Sequence, residues 1–274
     1  MKQIERQMVS LLTELREEHN VVGVKAEFEA EGTRIEEAMR LKEVSLKAGL
    51  DLTIKIGGCE AIKDMFDAES LGTRYLVGPM IETPYALKKY LAATRLAFDG
   101  EQREDMEFLI NIETITACRN LDEMLELPEI DQLDGIVLGR VDLTGSMGLN
   151  RDAANSKQIL DVCLEMAAKA KAKGKKVVVG GAVSIHSIPF FHAFPVGHLD
   201  RFETRKVVFG CPAALQNREK SFLKAVEFEI LWLKNKKNYY GVIHREDDAR
   251  LAMMEERYRK SIEAVKASPA AARK

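Results

Sequence analysis

No stretch of this sequence is apolar for long enough to cross a bilayer as a helix, which would take ~18 or more consecutive residues. Neither sign of charge dominates. Lys and Arg number 41 against 43 Asp and Glu, so a net charge of −2 gives no global basic field for nucleic acid or an acidic membrane. Cysteine is sparse and lacks paired spacing: Cys59, Cys118, Cys163 and Cys211 are scattered, which argues for a reducing compartment over a disulfide or zinc framework. There is no internal repeat and no linker long enough to divide the chain. Residues 3–18 read as a charged amphipathic helix, with Ile4, Met8, Leu11, Leu12 and Leu15 on one stripe, rather than as a signal peptide. The expectation is a soluble cytoplasmic enzyme with no nucleic-acid or membrane partner.

What is present is a strand–helix rhythm. At 274 residues, 46% of them hydrophobic, the chain suits one large α/β domain, since a (β/α)₈ barrel takes ~250 residues. Strands are expected at 21–28, from 50, at 74–80, 108–112, 135–138, 175–183 and 201–210. That makes seven where a barrel needs eight, and the sequence does not say what supplies the eighth. Thr83 with Pro84 opens one helix as cap and first turn. Two helices, 217–237 and 246–266, should follow the last strand, and the tail from 267 should fray. Residues 1–274 are thus expected to form one barrel domain, with about 238–274 as a helical extension.

The chemistry concentrates in residues 108–148. Two short apolar runs flank a helical pattern of Ile115, Cys118, Leu121, Met124 and Leu125, so the strands should be parallel and joined by a right-handed crossover. Alternation puts Leu109, Asn111 and Glu113 on one face. On the next strand it groups Ile136, Leu138, Arg140 and Asp142. Glu113 and Asp142 could then converge at the carboxyl-terminal end of neighbouring strands, where α/β folds build their sites. Two converging carboxylates repel unless a cation lies between them, and hard oxygen ligands with open positions suit magnesium or manganese. The competing reading is that these acids merely cap helices.

The first strands carry charge where a buried strand should be apolar. Val22, Val24, Ala26 and Phe28 form a face for helices, leaving Lys25 and Glu27 inward; on the second strand Thr53 and Lys55 point inward. Buried ammonium groups require carboxylate or substrate partners. A one-residue slip in register would turn each set outward. His186, His192 and His198, at six-residue intervals, fit no usual zinc spacing. Arg34 and Glu82 read more simply as helix-start residues.

The stretch NIETITACRNLDEMLELPEIDQLDGIVLGRVDLTGSMG resembles the signature of the HpcH/HpaI aldolase and citrate lyase β family. There a strand ending I-E-T precedes a strand reading G-[IV]-x-[IL]-G-x-x-D-L-[ST]-x-x-M-G. The resemblance is specific over about forty residues, looser from about 21 to 150, and slight beyond 180. It implies a (β/α)₈ TIM-type barrel of the phosphoenolpyruvate/pyruvate-binding kind with extra C-terminal helices. It further implies a carbon–carbon lyase acting on a 2-keto acid, and on an aldehyde in the reverse sense, through a metal-stabilised pyruvate-type enolate. Glu113 and Asp142 would hold Mg²⁺, or Mn²⁺ or Co²⁺. Lys55 stands near the position of an arginine that binds the substrate carboxylate, keeping the charge without the bidentate fork. Gly139, Arg140 and Val141 correspond to the loop whose amides hold a second carboxylate oxygen, and Lys25 or Arg140 would add positive charge. An oligomer built through the C-terminal helix is implied too.

Three departures stand out. Glu29, in FEAEG, lies where the bacterial aldolases carry a histidine in E-H-A. Gly139–Arg140 replaces a Gly-Pro. Asp67, matching an aspartate that supports the histidine across a subunit contact, has no histidine to support. The catalytic candidates are therefore Lys55, Glu29 and Arg140; the substrate-binding candidates are Lys25, Lys55, Gly139, Arg140 and Val141. Two other readings stay open: an acyl-CoA lyase resembling citrate lyase β, and a catalytically silent barrel used for ligand binding or oligomerisation.

Overall fold

The structure is a computed structural model that describes residues 1–216 and 219–267; the tail expected to fray lies, from 268, outside the described residues. Eight strands close into a barrel in sequence order: β1 (Val21–Glu27), β2 (Asp51–Lys55), β3 (Tyr75–Gly78), β4 (Glu107–Ile112), β5 (Gly135–Gly139), β6 (Lys176–Gly180), β7 (Arg201–Glu203) and β8 (Val207–Gly210). The helices are α1 (Gln3–His19), α2 (Ile35–Lys47), α3 (Ile62–Ser70), α4 (Pro84–Ala97), α5 (Gly100–Asp105), α6 (Ile115–Leu125), α7 (Arg140–Ser146), α8 (Lys157–Ala172), α9 (Ile188–His192) and α10 (Glu219–Ala267).

Local chemistry explains the joints. Thr83 and Thr114 each accept a backbone N–H three residues on, from Ala86 and Ala117, which starts α4 and α6 sharply after their strands. The apolar stripe of α6, Ala117, Cys118, Leu121, Met124 and Leu125, is buried as its spacing predicts. Inside the barrel, Val77, Leu109, Val137 and Val178 pack with Tyr75 as a closed floor. Two residues further along three of these strands the inward position changes character: Leu109 gives way to Asn111, Val137 to Gly139, Val178 to Gly180. A polar, open layer therefore lies on an apolar one, at the ends where the strands stop.

The eighth strand comes from RFETRKVVFG, read above as one strand. It is a hairpin, closed by the Thr204 N–H donating to the Val207 carbonyl at 2.9 Å. β1 to β7 run parallel, while β8 is antiparallel to both of its neighbours, β7 and β1. No helix separates β7 from β8. The two helices expected after the barrel are one: α10 is continuous for 49 residues and absorbs Gly241. The polar segment before β4 forms α5, capped by Asp99. By its contacts the chain divides into two compact units, Met1–Glu229 with the whole barrel, and Ile230–Lys274.

Candidate metal and substrate site

Glu113 follows β4 directly and is 1% exposed. Its Oε1 accepts the Met80 N–H at 3.0 Å, and its Oε2 accepts Asn111 Nδ2 at 2.6 Å. Lys55 Nζ stands 3.4 Å from Oε2. Burial raises the Glu113 carboxyl above its ordinary value and the negative charge of Asp142 adds to this, against Lys55 and the two hydrogen bonds. Met80 turns its amide inward by taking a left-handed backbone, φ 49°. On the other side Gly139 makes room: a Cβ there would lie 2.6 Å from Oε2. Sequence spacing signals neither Met80 nor this use of Gly139.

Asp142 lines the same cavity, but reaches it differently from the strand alternation expected. On β5 the inward residues are Val137 and Gly139, and the strand ends there; Asp142 stands in the first turn of α7. The same shift corrects Arg140, expected to face the site. Arg140 is fully buried and turned away from the cavity. Its Nε and Nη2 donate to the Gly180 and Gly181 carbonyls at 3.1 and 2.7 Å, Nη1 donates to Asn155 Oδ1 at 2.6 Å, and the guanidinium lies 4.6 Å from the Phe190 ring centre. With its donors taken up in this way it braces the loop after β6. The Arg140 and Val141 amides are themselves approached by Gly181, where a Cβ would come within 2.9 and 2.8 Å of them.

The inward lysines are both buried and both paired. Lys25 Nζ lies 2.5 Å from Glu203 Oε1 and 3.0 Å from Glu27 Oε1; burial pulls its pKa down, but the two acids outweigh it and hold the ammonium above its ordinary range. Lys55 Nζ lies 3.0 Å from Glu29 Oε2. There too burial is outweighed, by Glu113 first and then Glu29, and the pKa is raised. Glu203 was missed by sequence reading because the hairpin was; its one signal was an acid alternating with Phe202 in RFE. Lys206 with Glu31 adds a further buried pair. Lys25, Glu27, Glu29, Lys55 and Glu203 share with Glu113 and Asp142 a cavity of about 700 Å³ at the open end of the barrel.

Other candidates lie apart. Glu82 accepts the Thr114 hydroxyl at 2.6 Å, and Asp67 pairs with Lys63 along α3. Among the described residues the one triad close enough to share an ion is Glu14, Glu18 and His19 on α1, and its acids already pair with Lys220 and Lys224. The histidines at 186, 192 and 198 form no such group.

The donor set at Glu113 fits a hard divalent cation. Asp142 forms no hydrogen bond or ion pair among the described residues, Glu113 is desolvated beside a like charge, and the buried Asn111 Oδ1 has no hydrogen-bond partner. Two hard carboxylates with room left in the cavity are what such an ion takes while keeping positions for its substrate.

A closed eight-stranded barrel with an acid pair at its open end defines an enzyme-like α/β barrel. Residues 47–184, half of the chain, match the model of the HpcH/HpaI aldolase/citrate lyase family, and the chain belongs to that family. Among curated proteins it is 28% identical to a 2-keto-3-deoxy-L-rhamnonate aldolase of Klebsiella pneumoniae subsp. pneumoniae, over 36% of this chain and 43% of that protein. A protein of the same name from Salmonella schwarzengrund is 25% identical over 49% of this chain and 58% of its own. The chain thus spans about half the length of the curated relatives it matches. Among solved structures, an HpcH/HpaI aldolase from Desulfitobacterium hafniense DCB-2 superposes with a TM-score of 0.61 at 13% identity, covering 82% of this chain and 88% of the other. Macrophomate synthase gives 0.52 at 14%, covering 69% and 72%. At such identities the likeness shows the fold.

Proposed function

We propose that the protein is a divalent-metal-dependent carbon–carbon lyase or aldolase acting on a 2-keto acid through a pyruvate-type enolate. The observation that carries this is one buried carboxylate, Glu113, sharing a cavity with the unpaired Asp142 beside the raised, protonated Lys55. Glu113 and Asp142 would hold the ion. Magnesium, manganese or cobalt there would polarise the keto oxygen and stabilise enolate charge.

The chain's own groups supply the rest. Lys55 binds the substrate carboxylate, exchanging one of its two acid partners for it. A Schiff-base route needs a neutral amine, and the acids around Lys55 oppose that. Glu29, which reaches Lys55 from the bend after β1, accepts the proton in place of the absent histidine. Gly139 and the Val141 amide border the space for a carboxylate oxygen. Lys25, held by two acids of its own, contributes to the field more than to contact. Exposed Leu251, Met254 and Tyr258 within the second unit support a self-association role for the extension beyond about 238.

The decisive experiment pairs calorimetric titration of magnesium, manganese and cobalt with a condensation screen, pyruvate or oxaloacetate against varied aldehydes, read by mass spectrometry. Metal-dependent product is expected, with turnover reduced in Glu29→Gln. Product formed without metal, with substrate trapped on Lys55 by borohydride, sinks the proposal; so does the absence of any product.

A further inference from the structure

The cavity has two ends of different chemistry, and the proposed keto-acid chemistry occupies only one. At the charged end stand Lys55, Glu113 and Asp142. The other end is walled by Ile185 from the loop after β6 and by Phe222, Leu223 and Val226 from the first turns of α10. At about 700 Å³ the whole is of a size for a drug-sized ligand, far more than a three-carbon keto acid fills. The apolar end exists because β7 and β8 form a hairpin with no helix between them. Their outer faces are covered by stacked rings instead: Phe191 on Phe202 at 4.5 Å, Phe202 on Phe209 at 4.8 Å, and Phe222 against both. Phe222 is thereby fixed, while Leu223 and Val226, 69% and 48% exposed, leave apolar surface along the cavity. Two of the charged groups that line the cavity on this side have partners: Glu229 accepts the Thr204 hydroxyl at 2.8 Å, and Arg205 lies 3.7 Å from Glu31; Glu219 and Arg151 are exposed at its mouth. None of these four apolar wall residues falls in the span matched by the family model, which ends at 184.

We infer that this wall is the acceptor subsite, and that the partner of the keto acid is an aldehyde with an aliphatic or aromatic tail rather than a polyhydroxylated one. This rests on the reading of the charged end as a keto-acid site. A polyol tail laid on Ile185, Leu223 and Val226 would lose its hydration without gaining hydrogen bonds. An alkyl tail gains there, and each fully buried methylene strengthens binding about fourfold. The aldol step balances within the two substrates: the keto acid loses a methyl proton, the new carbon–carbon bond forms at the aldehyde carbon, and the aldehyde oxygen takes up a proton as hydroxyl.

The test separates the tail from the chemistry. Pyruvate and 2-oxononanoate, the deoxy analogue of the pyruvate–hexanal adduct, are titrated by calorimetry into the full chain with magnesium, and condensation of pyruvate with acetaldehyde and hexanal is assayed alongside. The expected result is 2-oxononanoate binding at least about tenfold more tightly than pyruvate, with that ratio falling towards one in Leu223→Asp. Leu223 is exposed, so the change leaves the fold standing, and Val226→Asp serves as a second variant. A tail preference without any condensation leaves an apolar binding subsite but overturns its assignment to an aldehyde acceptor, together with the aldolase reading. Condensation with equal affinities, or a ratio unmoved by both variants, overturns the subsite and spares the aldolase. Binding of neither ligand overturns both.

Discussion

β1 to β6 and the closing segment from β7 into α10 build the same cavity by different means. In the first region each strand is parallel to the next and delivers its inward side chain at a fixed height, so Lys25, Lys55 and Glu113 arrive as a layer above the apolar floor. In the second, a reversed strand closes the barrel and the first turns of α10 line the cavity. The first region supplies the lysines and the acid pair, and the second supplies Glu203 and the apolar wall. A parallel barrel stave fixes chemistry because its register is set by both neighbours, whereas the first turns of α10 can change the outline of the cavity without moving Glu113 or Asp142.

The largest effect should come from striking the charged region. Glu113→Gln and Asp142→Asn are each expected to weaken metal affinity by ~100-fold or more, since even groups that only orient a ligand cost ~10–100-fold. Calorimetric titration measures it, and thermal unfolding should show both variants folded. Unchanged affinity in both would place the acids outside any metal site.

Arg140 tests where the chemistry stops. Arg140→Ala should cost roughly 3–5 kcal/mol of stability, because it empties a fully buried guanidinium site and leaves the buried Gly180 carbonyl, the half-buried Gly181 carbonyl and the Asn155 side chain without their donor. Denaturant unfolding checks this. A variant as stable as the parent but inactive would return Arg140 to the reaction.

Lys55→Ala should weaken keto-acid binding by ~10–100-fold, the worth of one charge-assisted hydrogen bond, while disturbing metal binding less. Competitive calorimetry with pyruvate reads the split. Equal losses of both would make Lys55 a structural partner of Glu113 and Glu29.

The same division governs what the sequence disclosed. The unit β4–α6–β5 was readable because several local signals agree: apolar runs of strand length, Thr114 as cap, a helical stripe, and Glu113 at the end of an alternating face. Arg140 and Asp142 were grouped with Ile136 because alternation was carried three residues past Gly139, where the strand gives way to a helix turn. The β7–β8 hairpin was hidden for another reason: Thr204, Arg205 and Lys206 carry no glycine, proline or asparagine to mark a reversal. The two helices expected at 217–237 and 246–266 are one because nothing between them stops a helix: the single internal Gly241 costs only ~1 kcal/mol. Long-range pairing, unlike local propensity, leaves little trace in neighbouring residues.

The smallest effect sharpens the contrast between a charge held by charges and one held by carbonyls. Glu27 is largely buried; burial alone would push its carboxyl up, but Lys25, aided by Lys55 and Lys206, holds it below its ordinary value of 4.5. An acid whose folded pKa is depressed contributes stability that is fully present above the unfolded value and is lost as pH falls through the folded one. Glu27→Gln should therefore cost on the order of 1 kcal/mol at neutral pH, discounted for its partial exposure, and little once the pH is well below 4.5. Urea unfolding of parent and variant at pH 7 and in the acid range reads the difference, which should shrink as the medium is acidified. Arg140→Ala supplies the control, because its partners are neutral oxygens that do not titrate, so its larger cost should stay constant over the same range. A Glu27→Gln penalty that is equally constant would mean the side chain stabilises by packing, and that Lys25 is held by Glu203 alone.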